Sequence, residues 1–330
     1  MSTSVALLVF AVGLVVSLGA SEFLVRGFGH LGANVGLAAG LVGLLTALGA
    51  DAPEISSAIT ALLSGAKDVG LGVILGSNLF NLAALLGFSA VVAGRIGFRR
   101  ILLALDGSVA LWTTLIVSLM LLIGLAPPIA LILILAVFLF YVFLLAAEPH
   151  RADRLLLPLR VRHQLAAAAR VIHGDLQRSE ESREFWGPVW WIVPSIAAIV
   201  AGSVAMVNGA LTLGDHWHLS RIFLGAVALA AITSLPNAYA ATRLALAGNG
   251  TAVLSLAFNS NTLNLLVGVS LPAVVIGGLA SAPGAMADIL WLTILTLAAI
   301  GLGYLQRGLN RWSGLVLIAG YLIFIITILR

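Results

Sequence analysis

A set of amides and hydroxyls recurs at fixed spacing inside an otherwise apolar chain, and two carboxylates join its first copy. Residues 49–54 read GADAPE and residues 76–81 read GSNLFN. Residues 232–237 read ITSLPN and residues 259–264 read NSNTLN. One offset of 183 carries Pro53 onto Pro236, Ser77 onto Ser260, Asn78 onto Asn261 and Asn81 onto Asn264. It also carries Glu54 onto Asn237 and Asp51 onto Ser234, so the acids belong to the first copy alone. Carboxylate, amide, hydroxyl and carbonyl oxygens are hard donors that suit Na⁺, Ca²⁺ or Mg²⁺ rather than soft metals. Spacing of i, i+3 puts Asp51 and Glu54 on one helix face, and i, i+4 does the same for Ser77 and Asn81. Pro53 and Pro236 each remove a backbone donor and disturb the turn before them. Carbonyls near Ala47 and Ala230 are therefore expected to face a cavity. The plainer readings are a proline kink that only shapes packing, a protonated acid pair, and Ser and Asn side chains that join helices by hydrogen bonds.

The elements that must position these groups follow from composition. The 330 residues are 61% apolar and 9% charged, with a mean hydropathy of +1.13. A bilayer core about 30 Å thick needs about 20 apolar residues per helix. Ten such stretches lie near 4–24, 31–63, 68–93, 102–123, 126–147, 187–208, 219–246, 250–279, 285–305 and 312–329. The expectation is an all-α integral membrane protein. The runs are continuous rather than alternating, which argues against a β-barrel. The first run lacks a basic leader and continues to Glu22 and Arg26, so it reads as a retained helix. The chain has no cysteine, which excludes disulfides and thiolate chemistry. A charge at mid-bilayer costs about 2.5–3.5 kcal/mol. No Lys or Arg adjoins Asp51 and Glu54 in sequence, so a cation, a proton or another partner must offset them.

Basic residues set the orientation. With residues 148–186 in the cytoplasm, 14 Lys and Arg side chains fall on that side and Lys67, Arg221 and Arg330 on the other. The termini then face outward, in a multi-pass protein of the cell membrane. The pI of about 10 reflects these flanking arginines rather than a nucleic-acid partner. Five spans in 1–147 and five in 187–330 make two inverted repeats, as in many secondary transporters. The segment GASEFLVRG (19–27) also resembles AGSVAMVNG (201–209), at an offset of 182. The linker 148–186 reads either as a helix on the anionic inner leaflet or as a solvated connector.

The two copies resemble the α-repeats of the Ca²⁺:cation antiporter superfamily, in particular its Na⁺/Ca²⁺ exchanger branch. There G-T-S-L-P-E is followed by G-S-N-x-F-N. The stretch GVSLPAVVIGG (268–278) resembles the family's sequence after its second repeat. The resemblance implies a ten-helix exchanger in which four helices form the cation site and two long tilted helices, spans one and six, slide against them. It implies ion ligands at Ala47, Glu54, Ser77, Asn81, Ala230, Asn237, Ser260 and Asn264, with Ala50, Asp51, Thr233 and Ser234 beside them. Glu54 and Asp51 would be the charged ligands. No cofactor is implied. The partners are the lipid bilayer and inorganic cations, Ca²⁺ exchanged for Na⁺ or H⁺, with no oligomeric state specified.

The chain departs from that pattern at Asn237 and Asn264, where acids are usual, and at Ala50 and Asp51, where Thr and Ser are usual. An antiporter of Na⁺, H⁺ or another cation that does not carry Ca²⁺ is the alternative, and a non-transporting membrane protein is a third reading. Asp215, His216 and His218 could form a weak outer metal site, though they read better as a surface loop. There is no P-loop lysine motif to support ATP-driven pumping.

Overall fold

The computed structural model describes residues 1–37, 39–146, 189–279 and 285–329. The linker reading falls on residues outside this set. With no water in a bilayer core, the backbone must satisfy its own polar groups, and the apolar runs become helices. In chain order these are α1 (Thr3–Val35), α2 (Ala39–Ala50), α3 (Ala52–Leu63), α4 (Lys67–Ala93), α5 (Arg100–Leu122) and α6 (Pro127–Ala146). After the linker come α7 (Ile192–His216), α8 (Arg221–Leu246), α9 (Gly250–Ile276), α10 (Ala285–Gln306) and α11 (Arg311–Leu329). Nine helices among the described residues are long and apolar enough to cross a membrane, and α2 with α3 in tandem make the remaining crossing. Five crossings per half send the second half in from the opposite side, so this is an all-α membrane protein of two inverted repeats.

Three expectations are corrected. The first helix runs to Val35 rather than ending near 24. Glu22 and Arg26 do not break it, because they pair at 3.0 Å across one turn. The sixth runs to His216 rather than 208, with Thr212 bonding back to the Asn208 carbonyl. The span expected at 31–63 is broken at Asp51 into α2 and α3, with Pro53 in the first turn of α3 where its missing N–H costs nothing. Pro236, by contrast, stays inside a continuous α8. Gly49 weakens the first-half helix just before the break, and the second half has no glycine at the matching position.

A short sheet was not expected. Strand β1 (Arg95–Gly97) pairs antiparallel with β2 (Gly308–Asn310). It ties the turn after α4 to the turn after α10. Arg95 and Arg100 donate to the carbonyls of Gln306 and Tyr304, each at 3.0 Å, and so cap the end of α10.

The polar residues are inside and much of the apolar surface is outside. Asp51, Glu54, Ser77, Asn78, Asn81, Ser260 and Asn264 are fully buried, whereas Val12, Val15, Ile132, Val275 and Leu305 are exposed. Small residues bring the backbones together. A Cβ on Gly76 of α4 would strike the backbone of Ala226 in α8, and one on Gly225 of α8 would strike Val69 of α4. Gly13 of α1 and Gly202 of α7 stand in the same relation, with Ser17 and Ser203 hydroxyls 3.2 Å apart beside them. On the outer side of α3 lies an apolar cavity of about 510 Å³, between Leu24 and Phe28 of α1, Ile55 and Ile59 of α3, and Ile199 and Val204 of α7.

The α4–α8 contact leaves no room for a side chain at position 76. Gly76→Val is expected to destabilise the protein by about 1–3 kcal/mol, the usual cost of overpacking. A lowered melting temperature in detergent checks this, and an unchanged one would show that α4 and α8 are not in backbone contact.

Candidate functional site

The break at Asp51 shapes the first half of the site. Asp51 keeps near-helical angles (φ −84°, ψ −3°), so the chain bends there without reversing. The Asp51 amide donates to the Ala47 carbonyl at 2.9 Å, and the Asp51 carbonyl accepts from Ile55 at 3.0 Å. The expectation of a free carbonyl at Ala47 is therefore corrected: one lone pair is used, and only the second remains. Ala230 is similar, with its carbonyl 3.3 Å from the Thr233 hydroxyl. That hydroxyl also lies 2.9 Å from the Leu229 carbonyl, so Thr233 turns back onto its own helix.

Both acids point across the interface between the halves. Ser234 Oγ donates to Glu54 Oε1 at 2.9 Å, and Asn237 Nδ2 donates to Asp51 Oδ1 at 2.8 Å. The 183-residue offset exchanges these two bonds, since it relates 51 to 234 and 54 to 237. Two acids from one half thus meet two neutral donors from the other. Asn237 meets the site as the amide donor that holds Asp51.

Asparagines join the halves next to the acids. Asn78 Nδ2 donates to the Asn261 carbonyl at 3.0 Å, and Asn261 Nδ2 donates to the Asn78 carbonyl at 3.1 Å. Asn81 Nδ2 donates to Asn261 Oδ1 at 3.1 Å, and Asn264 Nδ2 to Asn78 Oδ1 at 3.0 Å. Every bond in this clasp has its counterpart under the two-fold relation. It forms where α4 and α9 each pass into a π-helical turn, at 82–88 and 264–270. Such turns loosen the i→i−4 ladder and are frequent at functional sites.

The clasp uses the amide nitrogens and leaves oxygens over. Among the described residues, nine buried side-chain oxygens have no partner, and six of them gather here: Asp51 Oδ2, Glu54 Oε2, Ser77 Oγ, Asn81 Oδ1, Ser260 Oγ and Asn264 Oδ1. Buried polar atoms are ordinarily bonded. These six oxygens come from the Asp51 break, α3, α4 and α9, with no basic side chain bonded to either acid among the described residues, and they are a donor set that suits a hard cation or protons. No group of three or more acids and histidines gathers elsewhere among the described residues. His216 bonds instead to the Thr212 carbonyl in its own helix, at 2.8 Å.

Residue order had marked Ser77, Asn81, Ser260, Asn264, Glu54 and Asp51, and all six have an orphaned oxygen here. It had not marked Asn78 and Asn261 as the clasp, although both lie in the repeated motif. It also passed over Asp106, an isolated acid within the span expected at 102–123.

Two inverted five-helix repeats around a buried oxygen cluster are the architecture of a cation antiporter. Residues 5–147 and 187–330 match the family model for the sodium/calcium exchanger protein, and the chain belongs to that family. A protein of Alkalimonas amylolytica described as a candidate antiporter, CaxA, is 27% identical over 96% of this chain and 97% of its own length. The inner membrane protein YrbG of Escherichia coli is 25% identical over 81% of this chain and 79% of its own. The solved sodium-calcium exchanger NCX_Mj superposes with a TM-score of 0.64 over 99% of each chain at 19% identity. Native YfkE does so with a TM-score of 0.64, over 96% of this chain and 91% of its own, at 17% identity. These two superpositions establish the shared fold.

The clasp makes its own prediction. Asn78→Ala leaves carbonyl and amide partners of α9 unbonded, at an expected cost of about 1–3 kcal/mol. Asn78→Ala with Asn261→Ala costs less than the sum of the single changes, because both break one network. Thermal unfolding in detergent measures the three variants, and additive losses would mean that the two amides act independently.

Proposed function

We propose that this chain exchanges Ca²⁺ for Na⁺ or H⁺ at a mid-membrane site, which opens alternately to the two sides. The observation that carries this reading is the set of six orphaned oxygens in one buried cluster. Ca²⁺ takes six to eight oxygens, carboxylates among them. Asp51 and Glu54 supply two negative charges, which match one divalent ion or two monovalent ones. Ser77, Asn81, Ser260 and Asn264 supply neutral oxygens, and the second lone pairs of the Ala47 and Ala230 carbonyls lie upstream on the same helices. Ser234 and Asn237 hold the carboxylates, and Thr233 stands beside them. Alternate occupancy of one pair of acids by Ca²⁺ or by the coupling ion links the two fluxes.

The motion is assigned to α1 and α7. They pack on each other through Gly13 and Gly202, and the apolar cavity opens where they meet α3. Sliding them past α3 uncovers the site without parting the asparagine clasp. The arginine distribution supports termini outside and residues 148–186 in the cytoplasm.

Flux in proteoliposomes tests this directly. ⁴⁵Ca²⁺ uptake is expected under an imposed Na⁺ or pH gradient, and to be lost in Glu54→Gln. Full activity in that variant would remove Glu54 from the site. A second reading rests on Asn237 and Asn264, which stand where more acidic sites carry carboxylates: cation-driven flux without Ca²⁺ uptake would make this an exchanger of monovalent ions. Asn237→Asp adds a carboxylate of the same shape next to Asp51 and is expected to tighten Ca²⁺ binding in calorimetry. Unchanged or weaker binding would show that residue 237 does not face the ion.

A further inference from the structure

A second buried acid stands apart from the cation cluster. Asp106 lies in α5 and is 3% exposed. Six residues from the helix start at Arg100, it sits about 9 Å inside that end, at 1.5 Å per residue. Asp106 Oδ2 accepts from Ser255 Oγ at 2.6 Å. Asp106 Oδ1 is 3.1 Å from Tyr141 Oη, which is 2.8 Å from Asn259 Oδ1. These partners come from α6 and α9. Tyr141 is buried, while Ser255 and Asn259 are half-buried.

Among the described residues, no cation is bonded to Asp106. Of the helices packed on α5, α6 contributes Tyr141 as its titratable group and α9 contributes none. Helix α10 carries Asp288 and Tyr304. It crosses α5 with Ile300 against Gly107, which leaves Asp288 twelve residues away, about 18 Å along the helix. Tyr304 lies near the helix end, its ring 4.6 Å from the Arg100 guanidinium.

With Asn259 Oδ1 turned toward Tyr141, hydrogen counting asks for one more proton. Asp106 Oδ1, Tyr141 Oη and Asn259 Oδ1 stand in a row with one hydrogen, the phenolic one, between them. A phenol donates once. A second hydrogen, on the carboxyl, completes the row: Oδ1–H donates to Tyr141 Oη, and Tyr141 donates to Asn259.

We propose that Asp106 is a proton-binding site, distinct from the cation cluster, whose loading sets how firmly α9 is held. The proton enters from water at the arginine-lined end and adds to Oδ1. On release it returns to water, and Tyr141 keeps its proton but turns its O–H from Asn259 to donate to the Asp106 carboxylate. Asn259 then loses its bond. Asn259 adjoins Ser260, and the same helix carries Asn261 and Asn264, so the wall of the cation cluster loosens. The proton site stands on the α5–α6–α9 geometry; only its link to flux rests on the exchange reading.

Infrared titration of the reconstituted full-length chain tests it. Lowering the pH is expected to raise a protonated-carboxyl band that is missing in Asp106→Asn, a variant whose amide copies the loaded form. Tyr141→Phe is expected to move the midpoint of that band and keeps the test open if Asp106→Asn does not fold. Spectra identical in wild type and Asp106→Asn, or a midpoint unmoved by Tyr141→Phe, would overturn the inference, leaving a permanent carboxylate that faces Tyr141 with the Asn259 amide reversed. The band is read without any cation gradient. Its presence with no cation flux sinks the exchange reading and keeps this one; flux without the band does the reverse.

Discussion

Two carboxylates at the centre of a membrane protein, with no basic side chain bonded to them, constrain everything around them. Each would cost about 2.5–3.5 kcal/mol to hold at mid-bilayer. The molecule limits that cost by burial in protein rather than lipid, and by one neutral donor for each acid. Ser234 and Asn237 fill that role across the interface. A lysine or arginine there would satisfy the acids permanently and leave nothing for a passing ion. Partial satisfaction, one oxygen bonded and one orphaned on each acid, keeps the cluster folded and still receptive.

That arrangement depends on close backbones. The six oxygens of α3, α4 and α9 and the two donors of α8 gather only if these helices approach to within the reach of short side chains. Gly76 and Gly225 permit this for α4 and α8, and the asparagine clasp fixes α4 against α9. The other side of α3 still packs on α7, but an apolar cavity opens where the two long helices meet it. Packing density thus divides the molecule into a tight centre that holds the oxygens and a slack boundary where α1 and α7 can shift. A well-packed core is not continuously deformable, so motion is expected where the gaps are.

Much of this was legible in the chain. The repeat offset exposed the symmetry because side chains that bond across a two-fold axis must recur in both halves. Asn81 and Asn264 were found for that reason, and Ser77 and Ser260 because they recur beside them. Helix ends were less legible: hydropathy falls at Glu22, Arg26 and Asp215, yet an ion pair and helical back-bonding carry α1 and α7 past those points. The break at Asp51 and the continuity at Pro236 could not be told apart from proline alone, since local glycine content and tertiary packing decide between a kink and a stop. The β1–β2 pair joins residues more than 200 positions apart and has no local periodicity to betray it. The main offset carries Asp106 onto Ile289, and only the 182 offset carries it onto an acid, Asp288, so a search on the 183 repeat passed over it.

The clasp between Asn78 and Asn261 uses the same residue type and the same bonds from both sides. It therefore asks nothing of the second half that the first does not already contain. A five-helix polypeptide with the first-half motif could close the same clasp against an inverted copy of itself, as a homodimer. That dimer would crowd four carboxylates around one axis, two Asp and two Glu, where this chain has two. Joining the halves in one chain is what allows one of them to substitute Ser234 and Asn237. Asymmetric charge inside a symmetric frame is thus a property that two different halves have and a homodimer of one half cannot.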